Sequence, residues 1–242
     1  MPTPSTPMRG GDAVTGYPVH PALLVLADGR FPAGGHAHSG GLEAAVRSGR
    51  VSDTASLEEF CSGRLHTVGL TAAALAAAAA SGADPLALDE AADARTPAPA
   101  LRAASRRLGR QLLRAARVAW PDPALDDLAA RFPRGAHQPL VLGVTAAAAG
   151  LAPAQAATAV AYETVSGPVT ACVRLLGLDP FQATAVLARL ADAVGAVACD
   201  ATRAADAVAA TGDVDLLPTG GAPLLDVTAE EHARWPVRLF AT

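Results

Sequence analysis

Apolar and polar positions along most of this chain recur with helical spacing, and no stretch shows the strict two-residue alternation of a half-buried strand. Val19 to Asp28 predicts a first short helix, and Leu42 to Arg47 a second that stops at Ser48-Gly49. Leu57, Phe60, Cys61, Leu65 and Val68 lie at helical intervals in a long third helix, which runs to Ala80 and ends at Ser81-Gly82. Ser56-x-x-Glu59 reads as a capping box at its start. Asp84-Pro85 opens a short helix to Ala94. Ala98 to Ala119 is the most legible helix, and Pro121-Asp122-Pro123 breaks the chain before another short one to Arg131. His137-Gln138-Pro139 opens a helix through Ala149, and Ala152-Pro153 starts a long one towards Leu176, in which Pro168 predicts a kink. Asp179-Pro180 begins the last long helix, to about Ala210.

From Thr211 to Pro223 glycine and proline take over, and the chain is expected to leave as an extended arm. Thr228-Ala229-Glu230-Glu231 reads as a capping box for one short helix ending near Arg234. Residues 1–16, rich in proline, glycine and small polar residues, read as a disordered leader. The expectation is an all-α, single-domain helical bundle over 17–210, with a Gly-rich interhelical loop and an extended C-terminal arm over 211–242.

Composition sharpens this picture. Hydrophobic residues make up 51% and charged residues 17%, so the chain has material for a core. Alanine dominates and aromatics are 4%, which favours closely packed helices over strands. A net charge of −4 gives no reason to expect nucleic acid or an acidic membrane surface. Cys61, Cys172 and Cys199 form no Cys-x-x-Cys pair and suit buried thiols in a reducing cytoplasm better than a disulfide framework. The longest apolar run, Val68 to Ala80, is mostly alanine and too short to span a bilayer.

The chemistry concentrates in one segment, Arg30 to Glu43, with four glycines, one proline, His36, His38, Ser39 and Glu43 among fourteen residues. So many glycines imply a specific backbone path between two helices, and such loops carry function. No nucleophile elbow is present, because Ala37 stands two residues before Ser39. All nineteen basic residues are arginine, so no Walker A lysine exists. His36 and His38 could clamp a metal on an extended strand of chain, but no neighbouring ligand completes a shell. Histidines bonded to loop carbonyls or helix ends are the alternative.

On Ala98–Ala119, Leu101, Ala104, Leu108, Leu112 and Ala115 fall within an arc of about 80° at 100° per residue. Arg102, Arg106, Arg107, Arg110, Arg114 and Arg117 occupy a separate arc of about 140°. Arginines with no acid between them repel one another, which suggests either a partner-binding face or neutralisation by the chain's own acids. At the far end, Arg238-Leu239-Phe240 puts large apolar side chains on a terminus, which suggests that it docks on something. An adaptor or scaffold, a metal-dependent helical enzyme using His36, His38 and a carboxylate such as Glu43, and a structural helical dimer all remain open from the residues.

Leu23-Leu24 through Asp28, Pro32-Ala33-Gly34-Gly35, and His38-Ser39-Gly40-Gly41-Leu42-Glu43 together resemble the opening signature of the urease accessory protein UreF family. The chain departs from it at His36, where the family usually has an aromatic residue. Ser105 to Leu113 resembles the family's Ser-x-x-x-Gly-x-x-Leu-Leu helix, and His137-Gln138-Pro139 with Gly143 resembles another of its stretches. Pro223-Leu224-Leu225-Asp226, Glu231-His232 and the closing Arg238 to Thr242 resemble its C-terminus. The resemblance implies an all-helical, dimerising, cytoplasmic adaptor that is not an enzyme. It implies a bridge between UreD and the GTPase UreG, for GTP-dependent nickel insertion into urease apoprotein. No cofactor would then be tightly bound, with nickel handled by the complex and no nucleic acid or membrane involved. The expected partner-binding residues are His38, Ser39, Gly40, Gly41, Glu43, Arg106, Arg110, Arg238, Leu239 and Phe240, with His36 and His38 as metal candidates.

Overall fold

Buried alanines set the architecture. The computed structural model describes residues 20–241, so the expected leader and Thr242 lie outside the described residues. Helix α4 (Leu70–Ala80) buries Ala73, Ala74 and Ala76 to Ala79 and is flanked by α8 (Gln138–Ala148), α9 (Pro153–Leu176) and α10 (Pro180–Thr211). Alanine contributes little volume, so neighbouring backbones come close. Gly143 on α8 shows how close: a methyl there would stand 2.2 Å from the Ala76 carbonyl oxygen. Larger anchors, among them Leu42, Leu57, Leu88 and Leu112, are fully buried around this centre. Each adds about 1.5–3 kcal/mol in transfer terms.

The described residues hold helices and no strand, as the periodicity predicts. Around the central group lie α1 (Pro21–Leu26), α2 (Leu42–Arg47), α3 (Thr54–Arg64), α5 (Pro85–Ala94), α6 (Pro99–Ala119) and α7 (Pro123–Arg131). Helix α11 (Pro223–Ala233) closes the chain against α6 and α2. Proline stands in the first turn of α5, α7 and α10, with Asp84, Asp122 and Asp179 capping the first amides. Helix α9 runs unbroken through Pro168.

Three boundaries differ from expectation. The third helix begins at Asp53, whose carboxylate accepts the Ser56 amide at 2.8 Å, while Ser56 Oγ accepts the Asp53 amide at 3.1 Å. Ser56 is thus the inner partner of the capping box, not its cap. A π-helical segment, Leu65–Gly69, joins α3 to α4 in place of one uniform helix. Helix α11 starts at Pro223 instead of Thr228, whose hydroxyl bonds back to the Leu224 carbonyl at 2.7 Å inside the helix.

The stretch after α10 is fastened down. Arg95, at the C-terminal cap of α5, donates to the carbonyls of Val214, Leu217 and Pro218 at 3.0–3.1 Å, and Leu217 is buried. Helix α10 is long and apolar enough to cross a membrane by length and composition, which Val68 to Ala80 is not. It packs along α9 and α4 through one face, burying Val186, Leu190, Val194 and Val197.

A polar network sets the start of α8. The Asp89 carboxylate accepts the His137 amide at 2.9 Å, and Ser105 Oγ accepts the Gln138 amide at 3.1 Å. The His137 ring, almost fully buried, lies between Ser105 Oγ at 3.0 Å and Asp93 at 2.8 Å. Helices α5 and α6 therefore cap α8 from outside, because Pro139 and the preceding residues offer no local cap of their own.

Candidate functional site

The Gly-rich segment and the C-terminal residues, far apart in sequence, form one surface. Asp28 opens the segment by accepting from Arg30, whose guanidinium beside it holds the carboxyl down at about 2. Phe31 then stacks on Trp120 with ring centroids 5.6 Å apart. Gly35–Ala37 forms a single 3₁₀ turn, and Gly40 and Gly41, both at positive φ, lead into α2. Ser39 is buried and its Oγ accepts the Glu43 amide at 3.2 Å.

Glu43 is the hinge of the arrangement. Its carboxylate accepts the backbone amides of Leu239 at 2.8 Å and Phe240 at 3.0 Å, and contacts His232 Nε2 at 2.9 Å. Burial pushes its pKa up, but these hydrogen bonds to the ionised form outweigh burial and hold it below the usual carboxylate range. The Ala241 amide donates to the Ala37 carbonyl at 2.8 Å, so the tail runs along the segment. The Phe240 side chain is buried, with the Arg174 guanidinium 5.1 Å from its ring centroid, while Leu239 stays 62% exposed. Arg238 is exposed, with one long bond to the Ala233 carbonyl at 3.4 Å. His232 lies against Trp235, which in turn carries Arg47 over its ring at 4.1 Å.

His38 is half-buried, and its pKa falls to about 4, chiefly through burial and then through the nearby charges of Arg107 and His36. It is therefore neutral at physiological pH. Among the described residues no three His, Cys, Asp or Glu side chains gather as a metal shell, so His36 and His38 gain no third ligand there.

The arginine face of α6 divides in two. Arg106 bonds to Asp89 at 2.8 Å, to Asp93 at 2.9 Å and to the Gly135 carbonyl at 2.9 Å. Burial works against its charge, and the two carboxylates more than compensate. Arg117 pairs with Asp126 at 2.6 Å. The chain's own acids thus pair with Arg106, Arg117 and, at 3.9 Å, Arg102, whereas Arg107, Arg110 and Arg114 remain exposed, Arg110 donating to the Arg134 carbonyl. Arg107 reaches the electrostatic field of His38, which brings the basic face beside the Gly-rich segment.

Between these elements lies a cleft of about 510 Å³. The Gly-rich segment, α6, α9 and α11 wall it, with Arg64, Thr71, Glu163 and Arg174 among its polar lining. Burial raises the pKa of Glu163, partly offset by its 2.8 Å bond from Gln138.

The family model for UreF matches residues 51–191, more than half of the chain. The chain belongs to the UreF family. A urease accessory protein UreF from Mycolicibacterium vanbaalenii is 45% identical over 224 residues, covering 91% of this chain and 97% of that protein. The protein of the same name from Mycobacterium sp. strain JLS is 44% identical over 221 residues, and that of Mycobacterium tuberculosis H37Rv is 43% identical over 213. These cover 91% and 87% of this chain, and 97% and 92% of the relatives. The UreF relatives bear the name of an accessory factor, not of an enzyme. Of the residues expected from the sequence, His38, Ser39, Gly40, Gly41, Glu43, Leu239 and Phe240 come together in this UreF fold; Arg106 turns inward and Arg110 stands on α6. His232, Arg64 and Arg174 went unrecognised. His232 had a weak signal, standing in the family-like Glu231-His232 pair, whereas the other two are single arginines in helical runs.

Proposed function

We propose that this chain is a cytoplasmic, non-catalytic adaptor of urease maturation that bridges UreD and the GTPase UreG. The assembly delivers nickel to urease apoprotein at the expense of GTP hydrolysis, and the adaptor works as a homodimer. Nickel is cargo of the complex, and this chain binds no cofactor tightly. The observation that carries the reading is 43–45% identity, over about nine-tenths of the chain, to proteins named as urease accessory protein UreF. The geometry supports it: the tail, the Gly-rich segment and the outward arginines of α6 offer adjoining surfaces for partners. Nucleotide chemistry falls to a partner, since the chain has no lysine for a Walker A motif.

On this reading the exposed arginines attract an acidic partner face. Charge reversal at Arg107, Arg110 and Arg114 together should slow association with UreD or UreG and flatten its salt dependence. Arg106 is left intact, because reversing it would leave Asp89 and Asp93 facing a like charge. Binding kinetics with purified partners at low and moderate salt give the result. Unchanged rates and salt dependence with both partners would remove α6 from the interface.

A further inference from the structure

Acids outnumber basic residues in this chain, 23 to 19, yet three neighbouring arginines of α6 are left without one. Arg107, Arg110 and Arg114 are exposed, and among the described residues none forms an ion pair, whereas Arg102, Arg106 and Arg117 on the same helix all do. At 100° per residue the three fall with Val118 inside an arc of about 80°, as one ridge about 16 Å long. Val118 is 83% exposed. Asp122 and Asp126 share a hollow with Arg114 and Val118 at the far end, but both are engaged, Asp122 with the Ala124 amide and Asp126 with Arg117. The uncommitted carboxylate of Asp226 lines the cleft, which none of the three arginines does. Arg134, whose carbonyl accepts from Arg110, is itself exposed and adds to the positive charge.

The ridge rests on a rigid base. The Gly-rich segment runs antiparallel along one flank of α6: Phe31 stacks on Trp120, the Gly34 backbone meets Gln111, and His38 feels the charge of Arg107. Gly34 has φ +84°, and a methyl on it would overlap the Gln111 amide oxygen, 1.8 Å away. Helix α8 packs along α6 as well. The backbone beneath the arginines is therefore already ordered, and a partner that docks there loses little to ordering it.

We propose that the Arg107–Arg110–Arg114 ridge docks an acidic helix of a partner protein, whose carboxylates repeat at the same three- and four-residue intervals and whose next turn lays an apolar residue on Val118. Steps along the ridge are about 4.5 and 6 Å, which a facing helix repeats turn by turn. Same-face residues of an extended chain are about 6.6 Å apart and drift about 3 Å out of step by Val118. A guanidinium pairs with a carboxylate in a fixed planar geometry, so the ridge reads register as well as charge. The inference deepens the adaptor reading and takes from it only that a partner exists, so a synthetic helix can test it.

The probe is a stapled helical peptide with glutamates at those intervals and a leucine one turn beyond. A control peptide has the same composition, with its glutamates spread around all faces of the helix. Each is titrated into the ¹⁵N-labelled full-length protein at constant ionic strength and pH, and the backbone amides are followed by ¹H–¹⁵N NMR. The patterned peptide should shift the amides from Arg107 to Val118 along a saturating curve, and the control should bind about fivefold more weakly, the worth of two exposed ion pairs. Changing any one of the three arginines to glutamine should weaken the patterned peptide about two- to fivefold. Equal half-saturation by the two peptides, shifts that do not saturate, or shifts that map away from α6 overturn the proposal. Tighter binding of duplex DNA at the same amides and the same salt overturns it too, in favour of a nucleic-acid site. Any of these would leave the adaptor role standing, because reconstitution of urease activation decides that separately.

Discussion

Deleting Arg238 to Thr242 should leave the helices in place and abolish both capture of UreG and activation of urease. Helix α11 ends at Ala233, so circular dichroism should change little. The truncation removes the buried Phe240 side chain, worth about 1.5–3 kcal/mol in transfer terms. It also takes two amide donors from the Glu43 carboxylate, leaving His232 as its remaining partner. Under-satisfying a buried carboxylate costs about 1–3 kcal/mol more. The expected protein is folded, somewhat less stable, and unable to complete the surface on which the GTPase assembles. If truncated protein still gathers UreG with UreD and supports activation at the native rate, the tail is only a packed end.

Acidification should open the same seam. His38 has its pKa lowered to about 4 from 6.5, so between those values the unfolded chain binds a proton that the folded chain refuses. Its contribution to stability is therefore present above pH 6.5 and is lost as pH falls towards 4. Since His38 is half-buried, the loss should be about 2–3 kcal/mol. Glu43 acts in the same direction at lower pH: its folded pKa lies below 4.5, so its contribution holds above 4.5 and disappears below. Urea unfolding of the native protein and of His38→Gln, from pH 7 to pH 4, separates the first effect from all other titrations. The native protein should lose about 2 kcal/mol more than the variant over that range. Parallel curves would show that His38 carries no such penalty.

Helix boundaries were readable where the signal is local. Asp-Pro at 84–85, 122–123 and 179–180 supplies a cap and a preset φ, and each starts a helix where the sequence places it. Asp53 and Ser56 were harder, since either can cap and only the backbone path decides between them. The start of α11 is obscured in sequence because Pro223 follows Gly220 and Gly221 and so belongs to a stretch that predicts an extended arm. The candidate site was legible as two separate segments. Their union rests on Glu43 and His232, 189 residues apart, and no sequence periodicity encodes such a contact. For the same reason the arginine stripe of α6 shows no division in sequence, although acids on other helices pair with Arg106, Arg102 and Arg117 and with no other arginine of the stripe among the described residues.

The adaptor role is tested most directly by reconstitution from purified components: urease apoprotein, UreD, UreG, nickel and GTP, with and without this chain. Urease activity should appear at full rate only when the chain is present, and the chain alone should hydrolyse neither GTP nor urea. Full activation without it, or turnover by the chain on its own that survives repurification, would contradict the adaptor reading.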